Sequence, residues 1–240
     1  MKSFLGVLTL MLAIFFLGLV TCNAEVSNGY RMGMLNKVSD SGWIAKSTEC
    51  QLSMGVDGTP MVLTWTTTDD KGKVTNHKNT INPWKFTYKG SRKIGEFIGT
   101  YMVIPYEKEY FRNWFAEDTP YIVKDFLPIE ETPLPEKMAT SKEYDAKKSE
   151  GALVGRIVQA SYHGKVFKTY EATIQVGIGG GQYQFMTMAD EVIYNFGVEA
   201  LKRGTLLKIS YVDLGVMNKI TTANNSYRIT KLEVVEKPKF

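Results

Sequence analysis

The chain has 240 residues, a hydrophobic fraction of 44% and a charged fraction of 22%, the balance of an ordinary globular protein and not of a disordered or fibrous one. Its formal charge of +4 is close to neutral, which argues against a dedicated nucleic-acid binder held by a broad basic face. No nucleophile elbow, zinc-ligand spacing or phosphate-cradling loop opening a helix occurs along it.

Residues 1–24 read as a leader. Lys2 supplies a positive start, Phe4 to Val20 is apolar apart from Thr9 and two glycines, and Cys22-Asn23-Ala24 offers small residues for cleavage before Glu25. Two alternatives stay open: lipidation at Cys22, for which Thr21 is a poor preceding residue, and retention of the apolar run as an anchor. All three place the body outside the cytoplasm, periplasmic or secreted, with membrane contact only through the leader. Lys2 is the leader's one charge, so the body carries +3. After cleavage Cys50 is the single cysteine left, which excludes an internal disulfide and suits a small buried residue.

Tyr30–Val38 and Trp43–Ser53 read as strands around the turn Ser39-Asp40-Ser41-Gly42. Gly33, inside the first, points to a bulge or sharp bend. Met61–Thr68, a DDKG turn and Lys73–Thr80 form an extra hairpin, followed by a third strand at Pro83–Tyr88. Ser91–Ile98 is a weak helical segment, and strands follow at Thr100–Glu107 and Tyr121–Ile129.

The pattern then recurs. Ser27–Gly55 aligns without a gap to Ser149–Gly177, a constant spacing of 122 residues as from Ser27 to Ser149. Gly29/Gly151, Gly33/Gly155, Ser39/Ser161, Gly42/Gly164, Lys46/Lys168 and Glu49/Glu171 are identical pairs. A repeat of half the chain predicts two copies of one domain. The second copy has strands at Leu153–Ala160, Lys165–Val176 and Gln182–Thr187. The one strong helix follows, with Asp190 as N-cap, Val192, Ile193, Phe196, Ala200 and Leu201 on one face, and Gly204 just past its end. Strands at Thr205–Val212 and Tyr227–Val235 complete it.

Three strands, a helix and two strands are the order of the OB-fold, so the sequence predicts a mainly β protein of two tandem OB-fold-like five-stranded barrels, each with one short helix between strands three and four. The predicted divisions are residues 1–24 as leader, 25–130 as the first barrel with its inserted hairpin, 131–148 as a proline-bearing, charged linker, and 149–240 as the second barrel.

The repeated unit resembles a widespread set of short bacterial and phage-encoded proteins of unassigned function, with the pattern S-x-G-x-x-x-G, then S-x-x-G-x-x-x-K-T-x-E. Ser27, Gly29, Gly33, Ser39, Gly42, Lys46, Ser47 and Glu49 match it, as do Ser149, Gly151, Gly155, Ser161, Gly164, Lys168, Thr169 and Glu171. Ser47 departs from the Thr, and Cys50 and Ala172 stand where Gly usually follows the Glu. The resemblance implies a bacterial or phage source and a small β domain, and it carries over no catalytic residue.

Candidate functional residues are few. Lys46 and Glu49, like Lys168 and Glu171, are three apart, so a regular strand points them to opposite faces and prevents a dyad. The lysines fit a barrel rim and the glutamates a solvated or cross-strand-paired role. His77 and His163 fall in a hairpin and a turn with no ligand-spaced partner, so no metal or other cofactor is expected. Gly177–Gly181 joins two strands and does not cradle phosphate. Aromatics are the remaining lead: Trp43, and the run Tyr106–Phe115, where Tyr110, Phe111, Trp114 and Phe115 alternate with charged residues. The sequence therefore points to an exported, non-enzymatic binding or adaptor protein contacting an envelope protein through these aromatics, with Lys46 and Lys168 as further binding candidates. The alternatives are an OB module binding oligosaccharide or single-stranded nucleic acid by stacking, of which the near-neutral charge disfavours nucleic acid, and a hydrolase using Glu49 or Glu171.

Overall fold

The computed structural model describes residues 27–41, 47–56, 61–68, 74–109, 119–145, 151–163, 169–178, 182–214 and 227–235. The leader, Gly42, Trp43, Lys46, the aromatic run Tyr110–Phe115, Gly164 and Lys168 lie outside the described residues. No helix among the described residues is long and apolar enough to cross a membrane.

The protein is mainly β. In the N-terminal half, β1 (Ser27–Ser41), β2 (Ser47–Met54), β5 (Trp84–Tyr88), β6 (Tyr101–Lys108) and β7 (Tyr121–Val123) pair in the order β1-β2-β5-β7-β6-β1, with one parallel contact, β5 with β7. The inserted β3 (Met61–Thr68) and β4 (Val74–Asn82) form their own two-stranded sheet. The short β8 (Leu127–Pro128) pairs with the start of β6. A single 3-10 turn, Ile94–Phe97, precedes β6, and its buried Ile94 joins the core.

In the C-terminal half, β10 (Gly151–His163), β11 (Thr169–Val176), β12 (Tyr183–Met188), β13 (Leu207–Asp213) and β14 (Tyr227–Val234) pair in the cyclic order β10-β11-β12-β14-β13-β10. The contact of β12 with β14 is parallel and the others are antiparallel. This is a closed five-stranded, OB-fold-like barrel, and the helix α1 (Glu191–Lys202) lies between its third and fourth strands. Asp190 caps that helix by accepting from the Ile193 N–H at 3.0 Å. Gly204, at φ +58°, ends it in the left-handed region that glycine adopts without steric cost. Ile193, Phe196, Ala200 and Leu201 are buried on the barrel core as their spacing predicts, whereas Val192 is 50% exposed. It sits in the first turn, rotated off the packed face.

The repeat is visible in register. Leu35 faces Leu52 and Ile157 faces Ile174, and both ladders slip at the next position, between Leu35 and Lys37 and between Ile157 and Gln159. The bulge expected at the glycines lies two residues further on. Gly33 and Gly155 serve a different need: a Cβ at either would run into a backbone carbonyl of the facing strand, Ser53 O or Gln175 O. The third-strand alignment shifts by one residue from its sequence reading. Glu49 faces Thr87 and Glu171 faces Thr187, so Thr87 corresponds to Thr187. With a side-chain period of two, a one-residue slip would turn the strand inside out, and the cross-strand glutamates fix the register.

The two halves also share structure. Asn28–Arg31 of β1 pairs antiparallel with Gln159–Tyr162 of β10, so one sheet runs through both. Met32 and Val103, 2% and 0% exposed, belong to the C-terminal core. The described part of the segment read as a linker, residues 131–145, is built into the C-terminal half: β9 (Met138–Thr140) pairs with β14, Leu134 and Ala139 are buried, and Arg203 holds Glu130 in an ion pair at 2.6 Å. Proline and charge marked this stretch as linker-like, but its apolar residues at 134 and 139 dock it.

Candidate ligand cleft between the halves

β1 is flanked on one side by β6 and on the other by β10. Gly29 therefore faces Tyr106 in one ladder and Ser161 in the other. It has no room for a side chain, since a Cβ would lie 2.8 Å from Ser161 Cβ and 2.9 Å from the Tyr106 hydroxyl. Above this crossing a cleft of about 310 Å³ opens, lined by Asn28, Gly29, Tyr30, Pro105, Tyr106, Glu107, Ile122, Lys124, Asp125, Tyr162 and Tyr194.

Four tyrosines thus come from β1, β6, β10 and α1. Tyr162 and Tyr194 meet edge to face at 6.0 Å, and Tyr170 of β11 backs Tyr194 at 4.9 Å. Asn28 Nδ2 donates to the Tyr162 hydroxyl at 3.1 Å, which fixes that ring. Asn28 Oδ1 is buried with no donor. Burial raises the hydroxyl pKa of Tyr106 and of Tyr194, so both remain neutral O–H groups through the physiological range. The rim carries both signs in pairs: Lys124 bonds Glu107 at 3.0 Å and Asp125 bonds Arg92 at 3.2 Å.

Behind Tyr106 stands Arg31, 5% exposed. Its guanidinium carbon lies 4.4 Å from the Trp84 ring, 5.2 Å from Tyr106 and 5.1 Å from Tyr121. The repeat places Leu153 at the corresponding point of β10.

All seven binding residues proposed from sequence, Trp43, Lys46, Tyr110, Phe111, Trp114, Phe115 and Lys168, lie outside the described residues. Of the hydrolase candidates, Glu49 and Glu171 are described, while Lys46 and Lys168 are not. Glu49 accepts from Thr87 Oγ1 at 3.0 and 3.1 Å, a cross-strand pair of the kind expected. His163 is the end of β10 and not a turn residue. Its Nε2 stands 3.0 Å from Glu171 Oε2 and 3.4 Å from Ser27 Oγ. A serine–histidine–acid relay needs the acid and the hydroxyl on opposite ring nitrogens, and here both approach the same one. No group of three metal-ligating side chains occurs among the described residues.

Sequence reasoning missed Tyr30, Tyr162 and Tyr194. Their signal was present in reverse: Tyr30 aligns with Ala152 and Tyr162 with Asp40. A cleft between two copies takes different faces from each, so Tyr30 and Tyr162 break the repeat, whereas Tyr106, facing Gly29 as Tyr211 faces Gly151, keeps it.

No known protein family matches the chain, and no curated protein does. Among solved structures it is similar to the single-stranded DNA-binding protein from Thermus aquaticus. The wild-type form is 8% identical, with 90% of this chain and 96% of that one covered and a TM-score of 0.23. A deletion mutant of it is 11% identical over 90% and 97%, with a TM-score of 0.23. At these values the likeness carries no inference about function.

Proposed function

We propose that the two halves are tandem OB-type barrels and that the protein is a non-enzymatic binding protein, exported by its leader, whose inter-half cleft takes one sugar ring of an oligosaccharide. Support for the tandem reading is the identical cyclic strand order and matching bulge of the two halves. The observation that carries the binding reading is the cleft itself, walled by Tyr30, Tyr106, Tyr162 and Tyr194. Rings of this kind stack on the apolar face of a sugar while their hydroxyls donate to its oxygens. The rim carboxylates of Glu107 and Asp125 supply acceptors for sugar hydroxyls. The size, about 310 Å³, suits one ring and is at the small end of the range for ligand sites.

The charge pattern separates this from a nucleic-acid strand. Phosphate contacts require free Lys or Arg along the path, and the cleft's Lys124 is already paired with Glu107. The adaptor reading rested on Tyr110–Phe115, and no feature of the described residues adds to it. Titration calorimetry with chitohexaose, maltohexaose and oligothymidylate tests the proposal. We expect heat with a neutral glycan, and affinity reduced about tenfold by Tyr162→Ala or Tyr194→Ala, the size of one lost stacking contact. Binding of oligothymidylate alone would replace the ligand class, and no response to any of the three would remove the cleft as a site.

A further inference from the structure

We propose that Arg31 and Trp84 form a second site, in the N-terminal half and independent of the cleft reading, that binds an oxyanion, the phosphate or carboxylate group of a ligand. Arg31 is buried, at 5% exposure, yet no carboxylate among the described residues pairs with it. Its Nε–H is buried without an acceptor, and so is the neighbouring indole Nε1–H of Trp84. The three aromatic faces at 4.4 to 5.2 Å stabilise the cation. They leave its buried Nε–H without an acceptor.

A buried guanidinium without an anion is costly, as is a buried N–H without an acceptor. These two donors stand on neighbouring side chains, the guanidinium carbon lying 4.4 Å from the indole ring centre, and a single oxyanion carries the acceptor oxygens that both lack. The fold itself does not require the cation. The second copy has Leu153 at this position of β10 and Gln184, opposite Ile174, where the first has Trp84 opposite Leu52. Both members of the donor pair are therefore peculiar to the N-terminal half.

The test follows the indole N–H signal of Trp84 by NMR while inorganic phosphate or acetate is added to the full chain at constant ionic strength set with chloride. A saturable shift is expected in the native protein. Phosphate acting alone would mark a phosphoryl ligand, acetate alone a carboxylate ligand, and both together a general oxyanion site. Arg31→Leu, a change to the residue type that the second copy carries at this point, should retain the native circular dichroism and lose the saturable shift. Trp84→Phe should weaken the phosphate-dependent rise in melting temperature while preserving the fold. The proposal is overturned if the native protein shows no saturable shift with either anion, or if Arg31→Leu shows the same shift.

Discussion

Cys50 sits on the inward face of β2, 3% exposed, and burial is the main cause that pushes its thiol pKa up to about 12. Thiolate is the reactive form, so Cys50 should resist an alkylating reagent at pH 8 in the folded protein and react only after denaturant is added. Rapid reaction in the native state would contradict the packing of β2. The buried tyrosines make a related statement about pH. Tyr106 and Tyr194 have raised pKa values, so between the unfolded tyrosine pKa near 10 and the folded values the native state holds protons that the unfolded chain releases. Their contribution is complete below about pH 10 and is lost as pH climbs through the folded values. The urea midpoint should be level through neutral pH and fall above that point, and a midpoint still flat in strong alkali would refute the burial.

At the scale of elements, the long first strand of each half carries the design. β1 bonds β2 through its second half and β6 through its first, so it must bend between the two partners, and Gly33 is where it comes too close to Ser53 for any side chain. Gly33→Ala and Gly155→Ala should each destabilise by about 3 kcal/mol, the upper range for overpacking against backbone, read as a lower urea midpoint. An unchanged midpoint would place the close approach elsewhere. This much was legible in sequence, because two glycines at the same place in both copies mark a shared backbone need. So was the helix, from the Asp190 cap, its apolar spacing and Gly204. The third strand was misplaced by one residue because nothing in Pro83–Tyr88 or Gln182–Thr187 alone fixes register, and only the facing Glu49 and Glu171 do. The segment after Glu130 was misread because Leu134 and Ala139 are too sparse to produce a period, although they are buried once α1 and β14 are in place.

Across the whole molecule, the halves are joined by more than a shared edge. Gln175 Oε1 accepts from the Val56 N–H at 3.1 Å, the Tyr183 hydroxyl donates to Met54 O at 3.0 Å, and Asn82 Nδ2 reaches Tyr183 at 3.3 Å. With Met32 and Val103 in the other half's core, calorimetry should show one unfolding transition for the full chain. Gln175→Ala, which strips a buried acceptor, should lower stability by about 1–2 kcal/mol. Two separated transitions in the native protein would mean that the halves fold as independent domains. The repeat made the strand order common to both halves readable from sequence, but not the way the halves meet. Pairing of β1 with β10 depends on edges, and the sequence periodicity describes faces. For that reason the cleft tyrosines stayed hidden while the repeated residues stood out.

A ligand seated at that junction must touch rings from both halves at once. The most direct test is a titration of tyrosine-ring-labelled protein with a neutral oligosaccharide, followed by NMR. Ring signals of Tyr30, Tyr106, Tyr162 and Tyr194 should shift together and saturate, while those of Tyr211 and Tyr227, paired with each other at 5.2 Å in the C-terminal barrel, stay unchanged. Shifts at Tyr211 and Tyr227 with silent cleft rings would contradict it.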